Sequence, residues 1–148
     1  MPLLSGLRVI RSSVEGYGVV ATRDFAAGEL LAEVDGIARA ADDLEDDTYA
    51  LLVDDGLLYD MVDQTRWVNH SCEPNTLVEA ERTLDGGAWA RLVALRAIRA
   101  GEELFYDYAF PAAVAEPCLC GAATCRGFIV DPAELEQARA RFGGGELR

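Results

Sequence analysis

One ten-residue stretch carries more reactive groups than any other part of the chain: Arg66-Trp67-Val68-Asn69-His70-Ser71-Cys72-Glu73-Pro74-Asn75. It holds the chain's only His, one of its two Trp and one of its four Cys. Asn69, His70 and Cys72 are suited to hydrogen-bonding a polar ligand, binding a metal, or both. Pro74 and Asn75 are turn residues. The stretch reads as a turn between two strands, a place where rigid scaffolds display chemistry.

The other three Cys, at 118, 120 and 125, form a C-x-C-x4-C pattern. Joined by Cys72 they supply four thiolates, enough for one tetrahedral zinc site with none left over. Two disulfides would need an oxidising compartment, and no export signal is visible. Lone thiols would leave Cys118, Cys120 and Cys125 unexplained. A site closed by four sulfurs is structural, with no position open to water. It would pin the C-terminal loop against the central turn.

The elements that must position these groups read mainly as strands. A first strand over 7–10 meets Glu15-Gly16-Tyr17-Gly18, a turn whose two glycines let backbone approach a ligand closely; most such turns are only turns. Strands over 19–23 and 30–34 follow, with Asp35-Gly36 as a hairpin-type turn. Residues 38–52 carry the acids Asp42, Asp43, Glu45, Asp46 and Asp47, with Leu44, Tyr49 and Leu52 suited to one side of a short helix. This run is either a solvated face or the acidic rim of a groove for a basic substrate. A strand over 57–62 leads into the central turn. Strands over 76–82 and 88–96 make a hairpin, and an aromatic-rich strand covers 101–108. Asp131 and Pro132 open a last helix with Leu135, Ala138 and Phe142 on one face and Gly143-Gly144-Gly145 at its end.

One unit occurs twice. Residues 19–31 align with residues 92–104, and seven of the thirteen positions are identical, among them Gly28 with Gly101 and Glu29 with Glu102. This predicts two strand–turn–strand units of like geometry, too short and isolated to be a solenoid.

With 148 residues, half of them apolar, the chain suits one folded domain. Its net charge of −13 argues against binding nucleic acid directly through phosphates. The charge suits a basic partner or serves solubility alone. All 13 basic residues are Arg, so no side-chain lysine is present. No run is long and apolar enough for a membrane span. The start, Met1-Pro2-Leu3-Leu4, lacks the features of a signal peptide, so a cytoplasmic location is expected. The last helix packs on the core or on a second subunit; both remain open, a homodimer included.

The central stretch resembles the R-F-I-N-H-S-C-x-P-N motif of SET-domain protein lysine methyltransferases. The Gly-x-Gly turn after the first strand, the 101–108 strand and the cysteine loop resemble that family's other motifs in type and order. The resemblance covers residues 7 to about 129. Trp67 stands where Phe is usual, Tyr17 where other aromatics occur, and a cysteine-rich pre-SET segment is missing, as in minimal bacterial or viral members.

The resemblance implies a mostly β fold, the β-clip of several short sheets with a pseudoknot. It implies a SET core over 1–110 with an insert at about 36–62, a post-SET zinc loop over 111–130, and a C-terminal helix and tail over 131–148. It implies methyl transfer from S-adenosylmethionine to the ε-amine of a lysine in a protein or peptide, histone-like or another basic substrate. Own-cell and host substrates both stay open. Tyr108 is then the catalytic tyrosine, and Tyr106 beside it limits space in the lysine channel, which suggests monomethylation. Tyr49 lines that channel. Gly16, Tyr17, Gly18, Asn69, Tyr108, Leu119 and Phe128 then meet the donor, His70 contacts its adenine largely through backbone, and Arg66 either bonds the donor's carboxylate or braces the turn. Cys72, Cys118, Cys120 and Cys125 hold the zinc, called structural. The alternative is a zinc-pinned peptide-binding module of the same fold without transfer.

Overall fold

The computed structural model describes residues 4–143. The start of the chain at Met1-Pro2-Leu3 and the helix end at Gly144-Gly145 lie outside the described residues. Among the described residues no helix is long and apolar enough to cross a membrane. The described residues form two compact units, one of residues 4–69 and 75–104, the other of 70–74 and 105–143.

The first unit is built from short antiparallel sheets. Strands β1 (Leu7–Arg11) and β2 (Tyr17–Ala21) pair around the Gly-x-Gly turn. Strands β3 (Leu30–Val34), β4 (Gly36–Ala40), β5 (Ala50–Asp54) and β6 (Leu57–Met61) follow. The two-residue strand β7 (Asn69–His70) contributes Asn69 to this unit. Strands β8 (Thr76–Arg82) and β9 (Ala88–Ala94) form the expected hairpin, and β3 adds to β9 in the order β3-β9-β8. Their inward residues alternate: Ala90, Leu92 and Ala94 are buried while Arg91 is exposed, the period of a half-buried strand.

Two expectations fail here. Asp35-Gly36 is no hairpin turn, because Gly36 opens β4, which pairs with β6 rather than β3. Residues 38–52 hold no α-helix; β4 and β5 flank β6, with Ala38 and Leu51 both opposite Tyr59. A non-local partner strand decides this segment, overriding its local helical spacing.

The twice-occurring unit folds as a reciprocal pair. Phe25 and Ile98 exchange both backbone hydrogen bonds, at 2.8 and 2.9 Å. Ala21 N–H donates to Glu102 O and Ala94 N–H to Glu29 O, both at 2.9 Å. Gly101 N–H returns to Ala21 O and Gly28 N–H to Ala94 O. The side chains repeat as well. Arg23 pairs with Glu29 at 2.8 Å and Arg96 with Glu102 at 3.0 Å. Gly28 and Gly101 take φ of +82° and +94° at matching turns, a conformation other residues adopt only with strain. The thirteen-residue similarity thus records a local two-fold arrangement in which each turn completes the other.

In the second unit the extended segment is short. Only β10 (Phe105–Tyr106) is strand within the expected 101–108 element. Strands β11 (Glu116–Pro117) and β12 (Phe128–Ile129) then pair, enclosing the cysteine loop. Helix α1 (Leu135–Arg141) closes the unit. Ala112, Ala115, Phe128, Val130 and Ala138 form a buried cluster on which Leu135 and Phe142 pack, the face the spacing predicts. Asp131 accepts from Ala133 N–H, as a cap should. Glu134 does not reach back to complete a capping box; its carboxylate accepts from Ala112 N–H at 3.2 Å.

Candidate functional site

In the first unit Asn69 braces the Gly-x-Gly turn. Its side-chain amide donates to Glu15 O at 3.1 Å and Tyr17 O at 2.9 Å. Both N–H bonds are thereby used, and Oδ1 remains as an acceptor. The two glycines have different reasons. Gly16 has φ of +51° and open space where a Cβ would stand. A Cβ on Gly18 would meet Glu103 Oε2 at 2.5 Å. That carboxylate accepts from Ser12 Oγ at 2.7 Å, so Gly18 serves packing. The Tyr17 ring lies 6.2 Å from Trp67.

Arg66 and Tyr49 also belong to this unit. The Arg66 guanidinium carbon sits 4.0 Å from the Tyr49 ring centroid and 5.7 Å from that of Trp67. Both residues line an open groove of about 390 Å³ with Arg39, Asp43, Glu45, Asp46 and Asp60. Four carboxylates against two guanidiniums make the groove acidic, and Asp43, Glu45 and Asp46 of the acidic run line it.

The second unit holds the tyrosines, the histidine and the thiols. Tyr106 is buried, and its ring centroid lies 4.7 Å from that of Tyr108. Burial, with Tyr108 adding to it, pushes the Tyr106 phenol well above its ordinary value, so it stays neutral. Tyr108 stacks edge-on against His70 at 5.4 Å and lies 5.7 Å from Phe110.

His70 is buried, which pushes its pKa down to about 4 against the opposing pull of Asp107, so the ring is neutral near pH 7. Its Nδ1 accepts the backbone N–H of Tyr108 at 3.0 Å, which places the ring proton on Nε2. Nε2 is 3.4 Å from Cys72 Sγ.

The four sulfurs of Cys72, Cys118, Cys120 and Cys125 lie within 4.8 Å of one another. Cys72 Sγ is 3.9 Å from Cys118 Sγ and 4.0 Å from Cys125 Sγ. Tetrahedral zinc with bonds of about 2.3 Å sets its sulfurs about 3.8 Å apart, whereas a disulfide brings them to about 2.05 Å. The four thiols are free, and the cluster fits a metal ion. Burial raises Cys72 and Cys118, while hydrogen bonds outweigh burial at Cys120 and draw it down to about 7.

Two expected donor residues sit differently. Phe128 is 1% exposed inside the apolar cluster, 5.0 Å from Phe142, so its ring is core. Leu119, between two of the Cys, is 92% exposed.

Sequence reasoning missed Asp107 and Arg126. Asp107 Oδ1 accepts from Arg126 Nη2 at 2.8 Å and from Ala109 N–H at 3.0 Å. The available signal was a carboxylate between two aromatics in an apparent strand, an unfavourable strand residue unless it bonds locally.

Comparison with known proteins agrees with these features. Residues 16–109 match the SET domain family. The chain is 36% identical over 141 residues to "Histone-lysine N-methyltransferase, H3 lysine-4 specific" of Cryptococcus neoformans var. neoformans serotype D (strain B-3501A), covering 83% of this chain and 10% of that protein. It is 36% identical over 140 residues to "Histone-lysine N-methyltransferase 2B" of Homo sapiens, covering 82% of this chain and 5% of that protein. The chain thus spans a tenth or less of the length of these relatives. Among solved structures, KRYPTONITE in complex with mCHH DNA, H3(1-15) peptide and SAH superposes with a TM-score of 0.71 at 29% identity, covering 83% of this chain and 29% of that one.

Proposed function

The chain belongs to the SET-domain family, and from that membership we propose that it transfers a methyl group from S-adenosylmethionine to the ε-amine of a lysine in a protein or peptide. The observation that carries this reading is the tyrosine pair, Tyr106 enclosed and neutral beside Tyr108 at 4.7 Å. When bound, S-adenosylmethionine supplies an electrophilic methyl on a sulfonium.

This chain's residues do the rest by alignment. The Tyr108 hydroxyl holds the incoming amine in line. A lysine with an ordinary pKa of about 10.4 must first give its proton to solvent water, and apolar aromatic walls favour that loss. Held by Asn69 and the Gly16 turn, the donor would give its methyl to the amine lone pair, the electron pair of the C–S bond staying on sulfur. Tyr106 limits the room around the amine, which supports monomethylation. Asn69 Oδ1, left free of the turn it braces, accepts from the donor's ammonium, and the bare Gly16 leaves room for the donor. Leu119 covers the adenine. The ion at the four thiolates is zinc, structural because sulfur fills all four positions.

The acidic groove at Tyr49 and Arg66 supports a basic polypeptide substrate. So does the net charge of −13, which disfavours direct nucleic-acid binding. Relatives named for histone H3 lysine and a neighbour carrying an H3(1-15) peptide support a histone-like tail. The location proposed is cytoplasmic.

The test incubates zinc-replete chain with donor and lysine-rich histone-tail peptides and reads the products by mass spectrometry. Addition of one methyl group is expected. No addition to any lysine peptide, with donor bound in calorimetry, would remove the transferase reading; mainly trimethyl product would remove the role given to Tyr106.

A further inference from the structure

Tyr108 is held by its backbone rather than only by its ring. On one side its own N–H donates to His70 Nδ1 at 3.0 Å. On the other, the N–H of Ala109 donates to Asp107 Oδ1 at 3.0 Å. Ala109 has φ of +47°, the one non-glycine residue with positive φ among those described, so this turn is kept against its own preference. Both supports lead to the same atom. His70 Nε2 lies 3.4 Å from Cys72 Sγ. Asp107 is gripped by Arg126 Nη2 at 2.8 Å, and the Arg126 backbone N–H donates to Cys72 Sγ at 3.5 Å. A closed ring of contacts therefore starts and ends at one metal-binding sulfur and has Tyr108 at its far side. The His70 and Arg126 side chains are 4% and 14% exposed, which keeps water from competing for most of this ring.

We infer that His70 and Asp107 are positioning residues that fix the aim of the Tyr108 hydroxyl from the cysteine cluster, with Arg126 tying Asp107 to it. The inference rests on the reading of Tyr108 as the aligning tyrosine. His70 acts through an acceptor at Nδ1, Asp107 through an acceptor at Oδ1. The metal loop and the catalytic tyrosine are then one mechanical part, and loosening either support costs alignment rather than affinity for the donor.

The experiment compares zinc-replete wild type with His70→Asn, His70→Gln and Arg126→Gln. Asn presents an oxygen near the Nδ1 position; Gln reaches only the Nε2 position. His70→Asn is expected to keep kcat within about tenfold, while His70→Gln loses about a hundredfold in kcat with unchanged zinc content and donor Kd. Equal losses in the two, or a donor Kd that weakens in step with kcat, overturn the inference. Should His70→Gln fail to hold zinc, Arg126→Gln carries the test with all four thiols and His70 in place; wild-type kcat there overturns it.

A second readout needs no turnover. Because His70 is the only His, selective ¹⁵N labelling reports its ring unambiguously. An unprotonated Nδ1 coupled across the hydrogen bond to the Tyr108 amide is expected, and a protonated Nδ1 overturns the inference. That coupling in a wild type that methylates no lysine peptide brings down the functional reading and leaves the clamp standing.

Discussion

The Arg66 guanidinium sits over the Tyr49 ring, its carbon 4.0 Å from the centroid. Its Nε is buried and has no hydrogen-bond partner among the described residues, so this contact rather than a hydrogen bond at that atom fixes the group. Arg66→Lys keeps the charge and loses the guanidinium over the ring. A stability loss of about 0.5–1 kcal/mol is expected by denaturant titration. Because Tyr49 lines the acidic groove, the KM for a basic peptide should rise while the donor Kd stays put. A donor Kd that weakens instead would return Arg66 to the donor's carboxylate.

Tyr108→Phe removes only the hydroxyl, leaving a ring that still packs on Tyr106 and Phe110. Turnover should fall by about a hundredfold or more, the cost of losing one aimed hydrogen-bonding group at a reacting centre. Donor binding measured by calorimetry should remain. Unchanged turnover removes Tyr108 from its role.

Stripping the metal should unfold more than a loop. The second unit has a small apolar cluster, and β11 and β12 are only two residues each. Cys120→Ser, or chelation of the wild type, should lower the measured metal from about one ion per chain towards zero. Tm should drop by about 10 °C or more, which for this size corresponds to about 3–4 kcal/mol. Full stability without metal would show that the thiols alone suffice.

Alkali should attack the fold through its buried phenols. Burial raises Tyr59, which donates to Val34 O at 3.0 Å, and raises Tyr106 further. The folded state keeps these protons where the unfolded chain gives them up. Their contribution is complete below about pH 10 and is lost as pH climbs from there through the raised values. Tyrosinate absorbance should show both groups ionising only with unfolding, and Tyr106→Phe should extend the alkaline limit. Free titration of Tyr106 in native protein would contradict its enclosure.

The legible parts of this chain are those where residue type alone limits the options. The spacing of the four Cys pointed to one shared site, and folding brings their sulfurs within 4.8 Å of one another; the Asn69–Cys72 stretch is dense enough to stand out. The paired units around Gly28 and Gly101 show in the sequence because the same turn demands the same residues twice. Residues 38–52 misled because Leu44, Tyr49 and Leu52 suit a helix locally, while strand β6, arriving later, takes the segment into a sheet. Asp107 escaped notice because its work is done with Ala109 N–H and Arg126, partners that only folding brings to it. Phe128 looked like a ligand-facing aromatic through resemblance, yet helix α1 covers it.

The reciprocal turns carry a consequence for how the chain is made. The turn at Gly28 leaves the ribosome about seventy residues ahead of the one at Gly101. Until the second emerges, Phe25 has no Ile98 with which to exchange hydrogen bonds, and Ala21 N–H lacks Glu102 O. The early half therefore waits as an open clasp with unpaired strand edges, and closing so distant a pair should make folding slow, on the order of milliseconds to seconds. Any truncation that stops before Gly101 should leave this first half soluble only with help.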